Sequence, residues 1–145
     1  MSDVTTYMSH DHRRCDDLFA ALEAAAGEGD WDTATAGLET YLEGMTHHFE
    51  LEETQVFPEF ERLTGMAMGP TRIMRMEHDQ MRGLFEELRA AVTARDGDEA
   101  LGVAETLNIL MQQHNLKEEE IVYPMTDQAL GEGATAFARQ LGAAA

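Results

Sequence analysis

The chain has 145 residues, 43% of them hydrophobic, which suits a single domain, 1–145, with a sizeable core. Its formal charge of −18 argues against nucleic acid and anionic membrane as partners, because both need a basic face. No apolar run approaches the ~20 residues of a membrane span, the start Met1-Ser2-Asp3-Val4 lacks the basic and apolar regions of a signal peptide, and the single cysteine, Cys15, allows no internal disulfide, so the expected location is cytoplasmic.

Leu, Met, Ala and Glu dominate and β-branched runs are absent, which predicts an all-α chain. A first helix is expected from about Tyr7 to Ala26, with Leu18, Phe19 and Leu22 on one face, followed by a turn at Gly27-Glu28-Gly29-Asp30. Asp30 or Asp32 can cap a second helix that carries Trp31, Leu38, Tyr41, Met45, His48 and Glu52 and ends near Arg62. After a loop over Gly65 to Gly69, Pro70 opens a third helix that ends near Arg95-Asp96-Gly97. A fourth runs from about Asp98 to Tyr123 or Met125, and a short tail helix covers Ala134 to Leu141. The three prolines are read as helix boundaries. Four long helices with short loops predict an antiparallel up-down-up-down bundle, with any site built from inward-facing side chains.

The chain repeats itself at an offset of 66 residues. His12 pairs with His78, His48 with His114 and Glu52 with Glu118; Asp11 to Phe19 lies over Glu77 to Phe85, and His48 to Pro58 over His114 to Pro124. Each half therefore offers a lone His and then His-x3-Glu, on two helical hairpins related by an approximate two-fold axis. Core packing can repeat Leu or Met, but it has no reason to repeat His and Glu in register. On a helix, residues i and i+4 share a face with about 6 Å of rise between them. His48 with Glu52, and His114 with Glu118, can thus reach one metal centre, with His12 and His78 arriving from the other two helices. Phe19 and Phe85, Met8 and Met74, and Met45 and Met111 stand one or two turns away on the same faces, so the ligands are expected in an apolar sleeve.

Imidazole and carboxylate together suit iron, zinc, manganese or nickel. Six ligands for two metals imply two histidines each, with both glutamates bridging; an oxide or hydroxide bridge makes each metal five-coordinate and leaves a position open. Zinc has no redox chemistry and its closed structural sites favour cysteine, so a partly open dinuclear site points to two iron ions.

The pattern His, His-x3-Glu, His, His-x3-Glu resembles the hemerythrin-like, or HHE cation-binding, family, as do Glu77-His78-x2-Met81-Arg82 and His48-Phe49-x2-Glu52-Glu53-x3-Phe57-Pro58. The resemblance covers nearly the whole chain. It implies a four-helix bundle around a non-haem di-iron centre bridged by oxide or hydroxide, held by His12, His48, Glu52, His78, His114 and Glu118. Oxygen-carrying members use a fifth histidine four residues before the third-helix ligand; Met74 stands there. The chain is thus closer to the four-histidine branch, which includes iron–sulfur repair proteins and iron- or oxygen-sensing domains.

Other residues compete for roles. His10 aligns with Met76 and His47 with Gln113, so both are read as surface side chains. Asp16, opposite Arg82 in the repeat, is assigned to an ion pair. Glu53 and Glu119 repeat faithfully but point away from the ligand face, toward a supporting or a solvated position. Asp11 and Glu77 precede the lone histidines and are read as solvated acids, a hydrogen bond to a ligand imidazole being the other option. Tyr41 is assigned to core packing, Cys15 to a buried small side chain, and Gln55 to a polar break in the sleeve. The ten methionines are read mostly as core filler.

The expected function is binding or sensing of a small ligand, oxygen, nitric oxide or peroxide, at the di-iron centre. Few anionic ligands stabilise high-valent iron less well, which leans away from an enzyme. Peroxide or nitric oxide breakdown, and iron donation in cluster repair, are the alternatives.

Overall fold

Aspartates start three of the helices. In the computed structural model, which describes residues 3–144, Asp3 accepts a hydrogen bond from the Thr6 amide, Asp30 from Thr33 and Asp96 from Glu99, pairing amides that a first turn leaves free. They open α1 (Val4–Gly27), α2 (Trp31–Leu51) and α5 (Gly97–Lys117). Pro70 opens α4 (Pro70–Thr93), where its fixed φ and missing N–H suit the first turn.

α2 does not stop at Leu51. It runs through a π-helical turn, Glu52–Val56, into α3 (Phe57–Thr64), which ends on Gly65 at φ 71°, a conformation that glycine adopts without strain. α5 runs likewise through a second π-turn, Glu118–Val122, into α6 (Tyr123–Leu130). With α1 and α4, these two continuous rods form the expected antiparallel four-helix bundle, and no strand occurs among the described residues. After a single turn at Gly131–Gly133 comes the short C-terminal helix α7 (Ala134–Ala143).

Two expectations need correction. Pro58 and Pro124 are not boundaries but lie inside the rods, and the fourth rod continues to Leu130. In an unbroken α-helix each proline would lose its own bond and crowd the carbonyl four residues back. The π-turn immediately before each proline relieves that crowding. Phe57 N–H reaches back five residues to the Glu52 carbonyl, and Tyr123 N–H to that of Glu118, so the helix widens by one residue where the proline needs room.

The 66-residue repeat holds element by element: Val4–Gly27 maps onto Pro70–Thr93, Trp31–Leu51 onto Gly97–Lys117, and the π-turns and the helices after them onto each other. α7 has no counterpart. Two buried apolar clusters fill the bundle. One contains Phe19, Leu22, Leu38, Tyr41, Phe85, Leu88, Leu107 and Met111, the other Val4, Met8, Val56, Phe57, Met74, Val122, Phe137 and Leu141. Each large buried side chain contributes about 1.5–3 kcal/mol. α1 is tied to the fourth rod at its first turn, where Asp127 accepts from the Val4 and Thr5 amides and the Thr5 hydroxyl. The six repeated His and Glu lie between the two clusters along the rods.

Candidate metal centre

His12, His48, Glu52, His78, His114 and Glu118 are each no more than 3% exposed. They meet in two groups that share both glutamates. His12, His48, Glu52 and Glu118 form one, Glu52, His78, His114 and Glu118 the other, and in each the ligating atoms lie within 4.8 Å of one another. Across the rods, His12 Nε2 is 3.1 Å from Glu118 Oε1 and His78 Nε2 is 3.1 Å from Glu52 Oε1. Within the rods, His48 Nε2 lies 3.5 Å from Glu52 Oε1 and His114 Nε2 3.1 Å from Glu118 Oε2, the i,i+4 pairs foreseen from spacing.

Every one of these imidazoles is held from behind by a carboxylate. Nδ1–H donates to Glu119 from His12 (2.7 Å), to Asp11 from His48 (2.8 Å), to Glu53 from His78 (2.7 Å) and to Glu77 from His114 (2.8 Å). That bond fixes the tautomer and turns the Nε2 lone pair inward. Asp11 and Glu77 are therefore not solvated acids. Each crosses to the next helix of its hairpin, a contact invisible in their own helix register. Arg82 supports Glu53, Arg14 supports Asp11 and Lys117 supports Glu77.

The field is strongly cation-attracting. Burial alone would lower the pKa of the His48 imidazole, but the Glu52 carboxylate, with hydrogen bonds to Asp11 and Glu52, raises it to about 10. His114 is opposed by burial in the same way and carried up to about 9 by Glu118. Burial favours the neutral form of Glu52, yet His48 and the surrounding hydrogen bonds hold it well below the usual carboxylate range. Outside the centre, buried His47 Nε2 and Gln55 Oε1 have no hydrogen-bond partner among the described residues. Four buried atoms of the centre, Glu52 Oε1, His78 Nε2, His114 Nε2 and Glu118 Oε2, also have none. Two of their contacts are 3.1 Å long but lack hydrogen-bond alignment, because the lone pairs converge on a common point. Unpaired buried polar atoms cost several kcal/mol together. A metal ion would satisfy all four, and the mixed nitrogen and carboxylate donors fit iron.

Tyr123 is a residue that sequence reasoning missed. Its hydroxyl, fully buried, donates to Glu52 Oε2 (2.5 Å) and lies 3.0 Å from Glu118 Oε1, 3.1 Å from His12 Nε2 and 3.5 Å from His48 Nε2. It touches all four members of the first group. Five residues along an α-helix is 140° off the starting face; the π-turn brings Tyr123 back onto the face of Glu118. The available signal was the repeat itself, which sets Tyr123 against Phe57.

The remaining candidates separate clearly. His10 is exposed, as expected, and His47 is half-buried outside both groups. Asp16 makes no ion pair among the described residues but accepts from Gln112 Nε2 (3.0 Å); Arg82, at the equivalent position of the other hairpin, pairs with Glu53 and Asp79. Gln55 does not break the sleeve. The π-turn points Val56 and Phe57 inward and leaves Gln55 beside a surface cleft with Phe137. Tyr41 packs between Phe19 and Phe85, and Cys15 is buried, its thiol pushed up to about 12 by burial and by Asp11. Met8, Met45, Met74, Met81 and Met111 are buried, whereas Met66, Met68 and Met76 are exposed, so core filling explains only some of the methionines. No helix among the described residues is long and apolar enough to cross a membrane.

Compared with known protein families, residues 3–126 match the model of the hemerythrin HHE cation binding domain. Neither a curated protein nor a solved structure matches the chain.

Proposed function

Because this chain belongs to the hemerythrin family of HHE cation-binding domains, we propose that it is a cytoplasmic di-iron protein that binds or senses a small ligand, oxygen, nitric oxide or peroxide. His12 and His48 would hold one iron and His78 and His114 the other, with Glu52 and Glu118 shared between them. When bound, two irons joined by oxide or hydroxide supply a redox-active pair with a coordination position for a small molecule. The observation that carries this reading is the pair of four-residue groups sharing both glutamates, with lone pairs turned inward.

The protein's own part is to orient and to keep dry. Glu119, Asp11, Glu53 and Glu77 hold the imidazoles in one tautomer. Phe49 stacks on His78 at 3.8 Å and Phe57 lies 5.5 Å from the same ring, so both help exclude water there. The same reading takes the whole chain, 1–145, as one domain, since α7 shares a buried cluster with α1 although it lies beyond the matched residues.

An enzyme that breaks down peroxide or nitric oxide is favoured by one observation, the Tyr123 hydroxyl, a protic group among the ligand atoms. An optical spectrum of the iron-loaded protein, followed through additions of oxygen, nitric oxide and peroxide, separates the readings. A reversible new band is expected. Rapid consumption of peroxide or nitric oxide would establish the enzyme instead, and iron loss to an apo-acceptor protein would establish a donor.

A further inference from the structure

The two halves of the centre differ where the repeat breaks. On the His12 and His48 side, the Tyr123 hydroxyl touches all four group members. On the other side the counterpart is Phe57, whose ring lies 5.5 Å from His78 much as Tyr123 lies 5.7 Å from His12, but which carries no oxygen. Of the six buried side-chain atoms without a hydrogen-bond partner among the described residues, four belong to the Glu52, His78, His114 and Glu118 group, and the other two, on His47 and Gln55, lie outside both groups.

The approaches differ too. Beside the His78 half lies a pocket of about 370 Å³, apolar throughout, walled by Pro70, Ile73, Ile121 and the stem of Lys117. Its floor is Met74 and Val122, buried side chains one turn before His78 and one turn after Glu118. The repeat places Val4, Tyr7, Met8, Gln55 and Val56 at the matching positions of the first half. There α7 lies on top. Phe137 and Leu141 join Val4, Met8 and Val56 in one buried cluster, and a Cβ on Gly142 would stand 3.6 Å from the Tyr7 ring. Since α7 has no repeat, Ile73 and Ile121 stay 50% and 44% exposed.

Resting on the function proposed above, we propose that the small ligand reaches the centre from one side only, through the pocket floored by Met74 and Val122, and meets it on the His78 and His114 half, Tyr123 filling the other half and α7 covering its approach. The ligand class follows. An uncharged diatomic gas crosses an apolar pocket at little cost, whereas peroxide must shed hydrogen bonds to water without replacing them. Met74, unbranched and flexible, is a side chain that can step aside for a gas molecule.

Two measurements on the iron-loaded full chain test this. Xenon marks apolar cavities that accept gas. Crystals pressurised with xenon should show it against Ile73, Met74, Ile121 and Val122, and none against Met8 and Gln55. Stopped-flow mixing with nitric oxide should show association slowed about tenfold in Ile73→Trp/Ile121→Trp with the adduct spectrum unchanged, as for a blocked path rather than an altered site. Gln55→Trp, beneath α7, should bind nitric oxide at the wild-type rate. Xenon on the Met8 side, or wild-type association in the double variant, overturns the route while leaving the di-iron reading intact. A wild-type protein that forms no adduct with nitric oxide overturns both. A solution dimer that buries Ile73 and Ile121 also overturns the route.

Discussion

Replacing His12 with alanine should strip iron from the protein, and replacing His10 should not. The two side chains are two residues apart, about 200° around a helix, so both cannot face the same centre. His12 is 3% exposed, with Nε2 3.1 Å from Glu118 and Nδ1–H bonded to Glu119, whereas His10 is exposed. An outer partner of a metal-bound histidine is worth about 10–100-fold in metal affinity, and the histidine itself should be worth more. His12→Ala should therefore lose most of its iron and its bridged-cluster absorption, as should His78→Ala. His10→Ala should keep both. Metal analysis and an optical spectrum of the three variants suffice. Iron lost from His10→Ala and retained in His12→Ala would contradict the orientation of α1.

Removing iron should lower the melting temperature by about 10 °C or more. Four imidazoles and two carboxylates meet between two apolar clusters, and four of their atoms lack a hydrogen-bond partner. Binding to the native state alone adds about 4 kcal/mol when the metal is a thousandfold above its dissociation constant. In a chain of this length each kcal/mol moves the midpoint by roughly 3 °C. Thermal melts of iron-loaded and chelator-treated protein give the difference. Equal midpoints would mean that the six residues do not hold metal in the folded state.

The bundle and the converging residues were legible because both depend on one local rule, the 3.6-residue period, and on a repeat that carries His and Glu in register. What was not legible depends on departures from that rule or on contacts between rods. The π-turns shift the register by one residue, which hid Tyr123 and misplaced Gln55, and they accommodate Pro58 and Pro124, which α-helical rules alone read as helix ends. Asp11 and Glu77 look solvated in their own helices, yet each meets a histidine of the next helix. α7 was foreseen as a short helix, but nothing in its pattern says which half of a near-symmetric bundle it covers.

The most direct test of the two-metal centre is the number of irons per chain in protein made in iron-replete cells. Two groups of four ligating residues that share Glu52 and Glu118 lead to an expected value of two. A value of one, or none, would contradict the dinuclear centre.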